Sequence, residues 1–204
     1  MSRVTVLDYG SGNVRSAVRA LERVGAEVEL SADPDVAIEA DGLVVPGVGA
    51  FAACMAGLHR VQAERILTER VRADRPVLGI CVGMQVLFSA GVEHGVQTPG
   101  LGLLAGRVEQ LKAPVIPHMG WNTVRPPADS VLFDGMAEDT RFYFVHSYAV
   151  HPAATGTGVR TTVAEHGEEF VAAVEAGPVS ATQFHPEKSG DAGAQLLANW
   201  LGSL

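Results

Sequence analysis

The sequence predicts an α/β fold: an open, mostly parallel central sheet flanked by helices, with antiparallel strands added in the second half. Three observations lead there. β-rich and helix-like runs alternate through the first half of the chain, and three of the strand-like runs end at Asp8, Pro46 and Cys81. The second half changes to short strand-like runs separated by turns. Alternation of this kind builds parallel sheets with crossover helices, and such sheets bind ligands at the carboxyl ends of their strands.

The elements follow in order. Residues 3–8 are β-rich and end in the turn Tyr9-Gly10-Ser11-Gly12. Asn13 then leads into a helical pattern of Val14, Val18, Leu21 and Val24, which Gly25 stops. Residues 27–30 and 42–45 are the next strands, separated by a helical stretch that begins near Asp33-Pro34. One longer helix is expected through Arg72, then a strand over 76–80 and a helix-like run over 82–88. The Pro/Gly-rich residues 98–106 read as a surface loop. Strand-like runs occupy 106–111, 142–150, 159–165, 170–175 and 179–184, where antiparallel pairing is the natural reading. Residues 191–204 form a closing apolar helix. With no repeat, low-complexity tract or linker, residues 1–204 are expected to form one domain.

Composition narrows the class of function. A chain of 204 residues can bury a core without disulfides or a structural metal. Its two cysteines lack paired spacing, which argues against a disulfide scaffold and a zinc site and suits a reducing cytosol. The longest apolar run is too short to span a bilayer, and no secretion signal is apparent. A formal charge of −8 disfavours nucleic acid, whose binding rests on Lys and Arg neutralising phosphates. The expectation is a cytoplasmic domain that handles a small molecule, with no metal and no cofactor.

Gly79-Ile80-Cys81-Val82-Gly83 lies where a Val/Leu-rich strand meets a helix-like run. That is the layout of a nucleophile elbow, a strand-to-helix turn so sharp that its central side chain stands clear of the sheet. The glycines on either side permit close backbone approach. A following helix N-terminus would favour thiolate over thiol. Taken alone, the motif also fits a buried cysteine packing as a small hydrophobe. Cys54 illustrates that alternative: it sits in an apolar helical stretch without a glycine bracket and reads as core packing.

A cysteine nucleophile needs a base, and the base needs an orienting partner. Among seven histidines, His185 ends a strand and is followed by Pro186 and Glu187. Proline stiffens that turn, so Glu187 can reach the imidazole and fix its tautomer, although His-Pro-Glu also occurs as an ordinary turn. Acyl transfer further needs donors for the tetrahedral oxyanion. The N–H of Val82 is one candidate, and the loop Pro46-Gly47-Val48-Gly49 can supply another.

Together these residues resemble a known family. Gly79-Ile-Cys81-Val-Gly-Met-Gln85 and His185-Pro-Glu187 are similar to the class I, triad-type glutamine amidotransferases. Asp8-Tyr-Gly-Ser-Gly-Asn13, Pro46-Gly-Val-Gly-Ala-Phe51, His118-Met-Gly-Trp-Asn122, Tyr143-Phe-Val-His-Ser-Tyr148 and His185-Pro-Glu-Lys-Ser189 narrow the resemblance to the glutaminase subunits of imidazole glycerol phosphate synthase. It spans residues 3 to about 200, with Val82 a conservative departure from the family's more usual leucine.

The resemblance implies that Cys81 attacks glutamine while His185 and Glu187 complete a triad. It implies an oxyanion hole from Val82, Val48, Gly47 and Gly49, and a glutamine pocket from Gly49, Gln85, Glu93, Ser147 and Tyr148. It also implies a heterodimer with a (βα)8-barrel synthase subunit that receives the ammonia. Asn13, Met119, Trp121, Tyr143 and Lys188 are the expected interface residues, with Trp121 following Gly120 in a loop-like segment. The alternatives are the glutaminase subunit of pyridoxal phosphate synthase and a stand-alone cysteine hydrolase on the same fold.

Overall fold

The computed structural model describes residues 1–10 and 14–204. The described residues form thirteen strands and six α-helices, which alternate in the first half as predicted: β1 (Arg3–Leu7), α1 (Val14–Arg23), β2 (Glu27–Ser31), α2 (Pro34–Glu39) and β3 (Gly42–Gly47). Then come α3 (Phe51–Arg60), α4 (Ala63–Arg72), β4 (Val77–Cys81) and α5 (Val82–Gln85). The second half holds β5 (Phe88–Glu93), β6 (Val96–Pro99), β7 (Leu104–Gln110), β8 (His118–Thr123), β9 (Arg141–His146) and β10 (Tyr148–Val150). It ends with β11 (Arg160–His166), β12 (Glu168–Ala176), β13 (Val179–Thr182) and α6 (Gly190–Leu201).

The central sheet has seven strands in the order β11-β12-β13-β4-β3-β1-β2. From β13 to β2 every pairing is parallel, whereas β12 and β11 add on antiparallel at one edge. Strands β3 and β4 are buried along their whole length, as parallel strands covered on both faces must be. The remaining second-half strands do not extend this sheet. They form a four-stranded sheet, β10-β7-β5-β6, and the hairpin β8-β9.

Local chemistry explains most boundaries. Asp33 caps α2 by accepting from Asp35 N at 2.9 Å and Val36 N at 3.5 Å, with Pro34 at the first helical position. The single helix expected through Arg72 is instead two, because Gln62 takes a left-handed φ of 57° between α3 and α4. The 82–88 run is helical only to Gln85, and Phe88 begins β5. Leu101 N and Leu104 N reach back to the carbonyls of Val86 and Leu87, capturing the chain in a sheet. The same pairing makes β6 and the start of β7 from the stretch expected to be a loop. No helix among the described residues is long and apolar enough to cross a membrane.

Candidate active site

Sheet order brings the chemistry together. β3, β4 and β13 are adjacent and parallel, so their carboxyl ends lie side by side. Their register sets Gly47 beside Cys81 and Thr182 beside Ile80. His185, three residues past the end of β13, thereby arrives next to the elbow; its N–H donates to Tyr143 O at 2.9 Å.

Cys81 has φ 56° and ψ −114°, the strained backbone that an elbow requires. Its glycine bracket exists for space. A Cβ on Gly83 would lie 1.8 Å from Val45 O, and one on Gly79 would lie 2.8 Å from Gly83 O. The helix after the elbow is one short turn, so its dipole is smaller than the sequence implies. Charge complementarity at the sulfur therefore rests chiefly on His185.

His185 is buried, and its Nδ1 donates to Glu187 Oε1 at 2.7 Å. Burial pulls the imidazole pKa down, but hydrogen bonds and opposite charge from Cys81 and Glu187 outweigh it and raise the pKa to about 9. An imidazolium facing the sulfur is thus the resting form near neutral pH. Such a pair can deliver a thiolate to an acyl carbon and a proton to the leaving group.

A cavity of about 230 Å³ opens over Cys81. Val48, Gly49, Val82, Gln85, Glu93, Ser147, Tyr148 and Lys188 all line it, together with His146. Gly47 packs beneath the elbow instead, where a Cβ would lie 2.3 Å from Gly83 N. Gln85 is buried, and its Nε2 donates to Tyr148 O at 2.9 Å and Gln183 Oε1 at 3.0 Å. Both amide hydrogens are thereby used, which leaves Oε1 to accept from a ligand. Glu93 uses one oxygen on Phe51 N at 3.0 Å, capping α3.

Met119 and Trp121 are exposed on β8, with Trp121 paired to Tyr143 across the hairpin and their rings 5.9 Å apart. The segment expected to be a loop around Trp121 is thus a strand. Asn13 lies outside the described residues. Two contacts escaped the sequence reading. Gln183 Nε2 reaches Cys81 Sγ at 3.9 Å, and the one available signal was an amide inside an apolar strand run. Cys54 is core, as expected, but its thiol also donates to Val48 O at 3.4 Å.

The family model for class-I glutamine amidotransferases matches residues 5–203. The chain belongs to that family. Among relatives of this amidotransferase is the imidazole glycerol phosphate synthase subunit HisH of Nocardia farcinica, 65% identical with 98% of each chain covered. The protein of the same name from Thermobifida fusca is 61% identical, with 99% of each chain covered. A crystal structure of a glutamine amidotransferase superposes with a TM-score of 0.76 at 23% identity, covering 98% of this chain and 99% of that one, and so attests the fold.

Proposed function

We propose that this chain is the glutaminase subunit of imidazole glycerol phosphate synthase, acting in histidine biosynthesis as one domain over residues 1–204. The observation that carries the reading is the buried Cys81 and His185, with the Glu187 carboxylate hydrogen-bonded behind the imidazole, in a chain 65% identical over 98% of its length to a protein of that name. Cys81 attacks the side-chain amide carbon of glutamine, and the oxyanion develops toward the N–H of Val82 and the Val48–Gly49 segment that follows β3. The His185 imidazolium protonates the departing nitrogen, and ammonia leaves. Water, activated by the now neutral His185, hydrolyses the thioester to glutamate, while Glu187 holds the ring in one tautomer.

Gln85, Glu93 and the Ser147–Tyr148 backbone hold the amino acid's polar ends in this reading. Ammonia released into neutral water becomes ammonium and loses its nucleophilicity, so a sealed path to a second subunit is the sensible chemistry. We assign that role to a (βα)8-barrel synthase subunit in a cytoplasmic heterodimer. Met119, Trp121, Tyr143 and Lys188 face it, with Asn13 a further contact. Two exposed apolar side chains on one strand fit such an interface. Glutamine turnover with and without that subunit tests the reading. A large stimulation supports it, whereas full activity of the lone chain favours a stand-alone hydrolase.

A further inference from the structure

Beneath the exposed face of the β8-β9 hairpin runs a line of polar side chains that the triad chemistry leaves unused. Along β8 the side chains alternate: Met119 and Trp121 point out, whereas His118 and Asn122 point in. His118 Nδ1 lies 2.9 Å from His146 Nε2, and His146 Nδ1 lies 3.0 Å from Tyr148 O. On the other side, Asn122 Nδ2 lies 3.2 Å from His118 Nε2. Tyr148 O also takes the Gln85 amide, and His146, Ser147 and Tyr148 all border the cavity over Cys81.

Elementary hydrogen-bond accounting fixes every proton in this line. A carbonyl can only accept, so His146 carries its proton on Nδ1 and, when neutral, presents Nε2 as an acceptor. His118 must therefore donate from Nδ1, which makes its own Nε2 an acceptor. Asn122 fills that place from Nδ2, whose second hydrogen goes to Glu165 O at 2.9 Å. The Asn122 Oδ1 accepts from Thr123 N at 2.9 Å, which sets the orientation of the amide independently. No atom in the line is left over, and reversing one member reverses all. Protonating either ring would set N–H against N–H. Consistently, burial foremost, with neighbouring histidine charge, lowers His118 to about 4, and burial lowers His146 to about 3.

We propose that His118 is a positioning residue: with Asn122 and His146 it forms a one-way line of donors that fixes the Ser147–Tyr148 corner of the glutamine pocket and ties it to the hairpin exposing Met119 and Trp121. The assignment rests on the glutaminase reading for its ligand but not for its proton arrangement. A corner held from both β8 and the Gln85 amide keeps the cavity wall in place before glutamine arrives, and preorganisation of that kind appears as affinity. His118 acts through His146 and touches no reacting atom.

The test compares His118→Phe, which keeps the ring stacking on Phe144 and His166 but removes the donor, with His118→Asn, whose amide nitrogen sits where Nδ1 was. L-glutamine affinity is measured by calorimetry on the full chain carrying Cys81→Ala, so that nothing turns over. His118→Phe should weaken binding about tenfold, the scale of one buried acceptor left unpaired, and His118→Asn should restore it to within about threefold. In the otherwise unmutated chain, nitrogen NMR should find His118 protonated on Nδ1 alone at neutral pH. Unchanged binding in His118→Phe, failure of His118→Asn to rescue, or a proton on His118 Nε2 overturns the proposal. If His118→Phe does not fold, the tautomer measurement decides. Absence of glutamine turnover by the unmutated chain with its partner would sink the glutaminase reading instead, and would leave the tautomer result standing.

Discussion

At the scale of single residues, the elbow separates the two cysteines. Cys81 holds a strained backbone beside His185, whereas Cys54 lies within the core of α3 with its thiol turned to Val48 O. Cys81→Ala or Cys81→Ser is expected to abolish glutamine hydrolysis with the fold retained. A glutamine-analogue alkylator mapped by mass spectrometry should label Cys81 alone, and label on Cys54 would refute the assignment. His185→Ala should cost orders of magnitude in rate, because nucleophile and base act as one unit. Glu187→Gln should cost less. Its second oxygen has no hydrogen-bond partner among the described residues, so an amide fits there while the other oxygen still accepts from Nδ1. A double variant whose losses simply multiply would show that His185 and Glu187 do not work as one relay.

At the scale of elements, the β3-to-α3 connection faces two opposite demands. At its start, Gly47 must be bare because the elbow passes against it. Two residues on, Gly49 has φ +88° with nothing within 4 Å of where a Cβ would stand. Space does not require glycine there; conformation does. In the proposed glutaminase, such a residue would let the Val48 peptide turn so that an N–H enters the oxyanion position when the partner engages. Gly49→Ala is therefore expected to lower the partner-stimulated rate far more than the basal rate, with partner binding retained. A missing oxyanion donor is worth roughly 10²–10³ in rate, which sets the ceiling. Equal loss of both rates would make the loop a fixed structural element. Gly83→Ala differs in kind: its Cβ would meet the Val45 carbonyl, so folding itself should fail, as circular dichroism would report.

At the scale of the molecule, buried histidines set opposite limits on stability with pH. His118 and His146 have folded pKa values of about 4 and about 3, below their unfolded value. The unfolded chain thus binds more protons below about 6.5, and stability falls as pH drops, by up to about 1.4 kcal/mol per pH unit for each ring. The groups facing them are His166, stacked on His118 at 4.3 Å, and His185, whose positive charge opposes protonation of His146. His185 is raised to about 9, so its contribution is full below about 6.5 and is lost as pH rises through 9. Denaturant midpoints measured from pH 4 to 9 should show both limbs. In His118→Asn the acid limb should be shallower, because one titrating ring is gone; an unchanged limb would refute the assignment of acid sensitivity to this pair.

The sequence by itself determined the elbow at Cys81, the alternation of the first half and the family. Each is written in neighbouring residues: the glycine bracket of Cys81, the Asp33-Pro34 cap, the motif order. It missed where α3 ends, because nothing local marks the left-handed Gln62. It carried helix past Gln85, because apolar residues pack equally well on a helix or on the buried β5. It read β8 as a loop, since a strand with one exposed apolar face exists only against β9. Tertiary structure alone decided that β13 docks beside β4 and so delivers His185 to Cys81. It alone aimed Gln183 at the sulfur and joined Asn122, His118 and His146 into one line. Those outcomes depend on pairings between residues far apart in the chain, where register, burial and proton placement are settled together and no local pattern records them.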